Sequence, residues 1–399
     1  MSAQRAYLVP LVAMLWTQVA GSAAIAAVPV VAPELAAELG VDASLVGVYT
    51  GVWFAAATVL SLASGGLIAR LGAVRTNQLA VAGSGLGLLL ALVPTVGFTA
   101  LAALVAGAAY GPNTPSGSQV LATAVPARRR GLAFSVKQSG AALGAMLAGL
   151  ALPVAVTFGG WRAALVATAA FCVLAALMVE PVRRRLDPRE RLAGGGAAPS
   201  PLESMRVVMR DPGLRRITIG GVALMVAHGS YQSFTVAYLV EAVGRDLAVA
   251  GGLFAALQAG AAVSRVLLGW LADRIGGARG VLSTVAAVAV VAGVLTARFD
   301  ASWSTGALGL VCVLAGIGSS GWYGVFLAEV ARLGLRTGTG QATGGVLFFA
   351  YAALVSGPLL VSAVVAAAGR YEPAFLLLAA MSAVACAAFA RIRPSRPEL

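Results

Sequence analysis

The chain has 399 residues, 59% of them hydrophobic and 11% charged, with a mean hydropathy of +0.90. Soluble domains carry roughly 25% charged residues, so water is not the main solvent of this chain. The formal net charge of +13 comes without a basic stripe interleaved with aromatics, which excludes nucleic acid, and Cys172, Cys312 and Cys386 lie singly in apolar runs, which excludes a cysteine-based metal site or disulfide framework.

A helix needs about 20 mostly apolar residues to cross the hydrocarbon core, and the punctuation of the sequence predicts twelve such segments. They run roughly over 7–31, 44–69, 76–96, 98–124, 132–156, 162–180, 217–240, 250–271, 279–297, 304–328, 340–366 and 373–390. The first follows Arg5 and has the look of a signal peptide, but its apolar run continues to Val31, so it is expected as a retained span. Segment 4 carries Tyr110-Gly-Pro112-Asn113-Thr-Pro115-Ser116-Gly-Ser118-Gln119. Polar or irregular backbone at that depth is tolerated only inside protein or along a cavity, so this stretch is expected to face an internal pathway. Segment 5 contains Lys137, the only lysine, on a helical face with Gly140, Ala141, Gly144 and Ala148. Residues 181–216 hold nine arginines and a Gly-Gly-Gly run, and predict a cytoplasmic linker between a first half, 1–180, and a second, 217–399. Segment 7 places the only histidine, His228, near Tyr231 and Gln232. Segment 8 carries Gln258 and Arg265 on one face with Ala261, Ala262 and Gly269. Trp322, Tyr323 and Tyr351 are weaker candidates in segments 10 and 11, where aromatics more often serve packing.

Basic residues collect on the cytoplasmic side of membranes. With both termini inside, 22 of the 28 fall on inner loops or ends, and four fall outside: Arg162, Arg245, Arg298 and Arg370. Lys137 and Arg265 are the two that remain, inside helices. Arg265 lies about 12 Å from the inner loop and Lys137 about 10 Å, at 1.5 Å per residue. Such a charge costs at least ~2.5 kcal/mol on insertion scales and marks a functional site by default.

After segment 2 the chain reads Gly65-Gly-Leu67-Ile-Ala69-Arg70-Leu-Gly72, and 204 residues later, after segment 8, Gly269-Trp-Leu271-Ala-Asp273-Arg274-Ile-Gly276. This doubled loop, with Gly-Gly-Trp-Arg before segment 6, resembles the major facilitator superfamily over the whole chain. The resemblance implies an all-α integral membrane fold of two pseudo-symmetric six-helix halves, with segments 5 and 8 meeting between them and the substrate site near the midplane. It also implies that the loops act as an inner gate through Gly65, Arg70, Gly269, Asp273 and Arg274, with glycines allowing close approach and charged groups pairing in one conformer. Ala69 stands where the family has Asp. Packing and topology alone are the competing role for the loops.

The arginine four residues before Gly269 is similar to that of the monocarboxylate and oxalate-formate carriers, and Arg130-Gly-Leu-Ala opens segment 5 much as Arg-Leu-Ala does there. The expected function is therefore secondary transport of a small organic anion, a monocarboxylate, by proton symport or anion exchange. Arg265 and Lys137 would bind the anion, with Tyr110, Asn113, His228, Tyr231, Gln232 and Gln258 around it. Snorkelling with a structural role is the alternative for the two cations, and a neutral, satisfied side chain is the alternative for His228. A multidrug or hydrophobic-solute exporter is the competing function, disfavoured because segment 5 lacks Gly-Pro-x-x-Gly-Gly and segment 1 has no acidic residue. No hydrolase, phosphate-loop or metalloprotease motif is present, so an enzyme is not expected, nor a cofactor or metal. A monomer in the bacterial inner membrane, with lipid and protons as partners, completes the expectation.

Overall fold

The computed structural model describes residues 7–126, 130–187, 201–275, 278–333 and 339–392. All of the described secondary structure is helical. By their internal contacts the residues form two compact units, Met1–Gly196 and Ala197–Leu399.

The first unit opens with α1 (Leu8–Leu39), buried along most of its length. It runs eight residues past the expected end at Val31, through Pro29 and Pro33, and stops at Gly40, whose φ of 65° is the left-handed cap that the preceding side chains resist. Glu34 and Glu38 are thereby part of the first helix, which corrects the expectation of a first segment without acidic residues. Segment 2 becomes α2 (Val46–Leu62) and α3 (Ser64–Leu71), and segment 3 becomes α4 (Ala73–Leu88) with a 3-10 turn. Segment 4 is broken into α5 (Val96–Tyr110) and α6 (Asn113–Ala124), because Pro112 has no N–H to continue the ladder. Segments 5 and 6 form α7 (Arg130–Met178), interrupted where Gly159 and Gly160 leave helical geometry. There Trp161 Nε1 and Arg162 Nη1 each donate to Glu38 Oε2 at 2.8 Å, tying the bend to the end of α1. Gly140 and Gly144 pack on α1: a Cβ at Gly140 would lie 3.1 Å from the Leu15 carbonyl, and one at Gly144 would collide with that of Val19. Part of the expected linker is helical, as α8 (Glu180–Leu186), α9 (Pro201–Arg210) and the start of α10.

The second unit comprises α9, α10 (Pro212–Glu241), α11 (Leu247–Ile275), α12 (Ala278–Thr296), α13 (Thr305–Ser320), α14 (Tyr323–Leu333), α15 (Thr339–Ala368) and α16 (Glu372–Ala390). Segment 10 is broken, like segment 4, beside a glycine: Gly111 follows α5 and Gly321 follows α13. The packing of the first unit recurs in the second. Gly85 of α4 lies against Ala169 of α7, and Gly293 of α12 against Ala379 of α16. Gly107 meets the Trp53 backbone, and Gly316 the Leu257 backbone. The offsets of 208 to 210 residues on one side and 204 on the other are close to that of the repeated loop, so the sequence repeat is a repeat of helix packing. Among the described residues, eight helical stretches are long and apolar enough to cross a membrane.

Candidate functional site

Among the described residues, each unit holds a group of buried polar side chains around its helix break, and the two are described separately. In the first unit the helix break brings Tyr110 and Asn113 toward α1 and α4. Gln18 Nε2 donates to Tyr110 Oη at 3.2 Å and to Ser22 Oγ at 3.4 Å. Asn77 Nδ2 donates to Asn113 Oδ1 at 2.8 Å, to the Asn113 carbonyl at 3.0 Å and to Ser116 Oγ at 3.2 Å. Ser116 in turn donates through Oγ to the Pro112 carbonyl at 2.6 Å, which also accepts the Ser116 backbone N–H at 3.0 Å.

Lys137 reaches into this group from α7 and is 1% exposed. Its Nζ is 3.5 Å from Gln138 Oε1, and its stem lies over Gly117, where a Cβ would sit 2.8 Å from Cε and 3.3 Å from Nζ. Among the described residues no carboxylate lies within ion-pair distance of it. A buried ammonium without a counter-charge is costly, and an anionic ligand would offset that cost.

In the second unit the break between α13 and α14 leaves the carbonyls of Ser319 and Ser320 without helical partners. Trp322 Nε1 donates to the Ser319 carbonyl at 2.8 Å, and Arg265 Nε to the Ser320 carbonyl at 3.2 Å. Arg265 Nη2 also donates to Ser320 Oγ at 2.9 Å, and the same oxygen lies 2.9 Å from His228 Nδ1. The serine oxygen accepts from Arg265 and either accepts from a protonated Nδ1 or donates to an unprotonated one, so Ser320 links the guanidinium to the ring in both tautomers. Gln258 Nε2 donates to Gln232 Oε1 at 2.5 Å, joining α11 to α10 along the same faces.

The structure thus brings Tyr110, Asn113 and Lys137 together in one unit, and Arg265 with His228 and Gln232 with Gln258 in the other. Tyr231 does not join them. Three residues past His228, its hydroxyl lies 3.3 Å from Thr296 Oγ1 and its ring 5.5 Å from that of Phe375. Of the expected gate, Gly65 and Arg70 lie in α3 and Gly269 and Arg274 in α11. Arg70 is exposed, and the Arg274 guanidinium lies 5.2 Å from the Trp270 ring centroid. The side chain of Asp273, and Gly276, lie outside the described residues. Sequence reasoning missed Gln18, Asn77 and Ser320. The first two carried the signal used for segment 4, a large polar group inside an apolar run, while Ser320 carried none.

The family model described as the Major Facilitator Superfamily matches residues 14–344. No curated protein matches the chain. Among solved structures, a bacterial homologue of the human lysosomal transporter Spinster, inward-facing and unoccupied, is similar over 98% of this chain and 92% of that one, at 18% identity and a TM-score of 0.72. A mutant of the nucleoside transporter NupG is similar over 96% and 99%, at 15% identity and a TM-score of 0.77. A mutant of the E. coli fucose:proton symporter FucP is similar over 98% and 100%, at 16% identity and a TM-score of 0.62. At these identities the likeness is one of fold.

Proposed function

The chain belongs to the major facilitator superfamily, and from that premise we propose that it carries a small organic anion, a monocarboxylate, by alternating access with proton symport or anion exchange. It is a multi-pass membrane transporter and not an enzyme. Twelve crossings, cytoplasmic termini, a bacterial inner membrane and a working monomer belong to the proposal, and the one-sided distribution of arginines supports the cytoplasmic termini. So do a division at 181–216 and an inner gate of Gly65, Arg70, Gly269, Asp273 and Arg274.

The observation that carries the anion reading is Lys137: 1% exposed, the only lysine in the chain, and without a carboxylate in reach among the described residues. Arg265 supports it. Its Nε and one Nη are anchored on Ser320, which orients the planar fork for a carboxylate. Tyr110, Asn113, His228, Gln232 and Gln258 are the proposed neutral contacts. An exporter of hydrophobic cations is the competing reading, and its support is Glu34 in α1, since Glu38 is engaged by Trp161 and Arg162. A thermal-shift screen of carboxylates and lipophilic cations on the purified protein separates the two, because a ligand selective for the native state raises its apparent stability. Stabilisation by carboxylates is expected; stabilisation by cations alone overturns the anion reading.

A further inference from the structure

We propose that the polar group of the first unit selects a hydroxylated carboxylate over the plain acid, an inference that rests on the anion-carrier reading above. Gln18, Asn77, Asn113 and Lys137 come from four different helices and are all between 0% and 2% exposed. Gln18 bonds Tyr110, Asn77 bonds Asn113, and Lys137 and Asn77 both flank Gly117, where a Cβ would sit 3.3 Å from Nζ and 3.6 Å from Asn77 Nδ2. Gly21 completes the group from α1, where a Cβ would sit 2.9 Å from the Tyr110 ring and 3.1 Å from Asn113 Nδ2. That close approach turns the Asn113 amide toward the helix that carries Gln18.

The hydrogen bonds within the group do not use all of its polar atoms. Asn113 Nδ2 donates to nothing, and the amide oxygens Gln18 Oε1 and Asn77 Oδ1 accept from nothing. The orientation of Asn77 is fixed by its neighbours, because the Asn113 carbonyl and Oδ1 are acceptors and require Nδ2 on their side. What remains is a set of opposite needs: two donors, the Lys137 ammonium and Asn113 Nδ2, and two acceptors, Gln18 Oε1 and Asn77 Oδ1. A plain carboxylate accepts from the donors and leaves both amide oxygens desolvated and unpaired. A ligand that also has hydroxyl groups donates to those oxygens and completes the set. Sites built to bond a substrate hydroxyl reject the analogue that lacks it far more strongly than apolar pockets reject a missing methylene.

The test is calorimetric binding to the purified full-length protein of two matched pairs, lactate with propionate and gluconate with hexanoate, with glycerol as the uncharged control. In at least one pair the hydroxy acid is expected to bind more tightly by about 100-fold or more, and glycerol more weakly than either. Gln18→Met, which keeps the volume of the side chain and removes its amide, should shrink that ratio at least about tenfold. Equal affinities within both pairs overturn this inference and leave the anion reading intact, with buried water then the partner of the amide oxygens. Binding of glycerol with no acid bound overturns the anion reading itself. An unchanged ratio in Gln18→Met contradicts the assignment of that oxygen, and the wild-type ratio decides the matter even where the variant fails to insert.

Discussion

Lys137 has room at its position because residue 117 is glycine. A methyl group there would press on Cε and Nζ at 2.8 and 3.3 Å, and the flexible stem would move aside rather than the backbone. Gly117→Ala is therefore expected to fold and to lose uptake, measured in proteoliposomes at equal protein content. Lys137→Arg keeps the charge but puts a longer, planar group over Gly117, and uptake should fall at least about tenfold; normal uptake by both variants would show that the position of the ammonium is immaterial. Ser320→Ala removes one acceptor from Arg265 and a hydrogen-bond partner from His228. Hydrogen bonds to charged groups contribute about 1.5–3 kcal/mol, so carboxylate affinity should weaken about tenfold or more, with Ser320→Thr restoring most of it. Equal affinity in the Ala variant would reduce Ser320 to a helix end. The cations and the histidine were legible in the sequence because they are rare exceptions in apolar runs. Ser320 was not, because serines in this chain also occupy helices by bonding their own backbone, as Ser230, Ser233 and Ser382 do.

Helix breaks supply part of each polar group: Tyr110, Asn113 and Ser116 in the first unit and Ser320 in the second. The break after Ser320 frees backbone acceptors, and the flanking glycines let a neighbouring helix come close: a Cβ at Gly111 would lie 2.9 Å from the Ser61 backbone, and one at Gly321 would collide with the Ser264 side chain, one residue from Arg265. At the matching position of the repeat the first unit has Ser61, so Arg265 is an asymmetry laid on a repeated scaffold. The bend in α7 is another such device. Gly160 adopts φ 65° and ψ −171°, a region open essentially to glycine alone, and Gly160→Ala should cost about 1–3 kcal/mol and lower the apparent Tm. An unaltered Tm would mean that the bend relaxes without loss. The prolines, glycines and apolar lengths made the long apolar helices legible beforehand, whereas α8 and α9 fell in the expected linker. The partners of the glycines were not, since a glycine does not encode which helix it admits; that Gly140 and Gly144 lie on α1 is visible only in the fold.

For the molecule as a whole, the family was readable from the doubled loop and the internal repeat, whereas the substrate is set by a few side chains that the repeat does not constrain. Topology is open to direct test, because Cys172 and Cys312 are buried and Cys386 is removable as Cys386→Ser. On that background a membrane-impermeant maleimide should label Ala301→Cys in intact cells, and Arg279→Cys only in inverted vesicles; the reverse pattern would contradict cytoplasmic termini. The central claim is that Arg265 binds the carboxylate of the substrate through its fork. Its most direct test is calorimetric binding of a carboxylate series to the wild type and to Arg265→Lys, which keeps the charge and loses the bidentate geometry. The account predicts that affinity falls about tenfold or more for carboxylates of every chain length in a variant that still folds and inserts; equal affinities in the two proteins, or a substrate that is a cation, would contradict it.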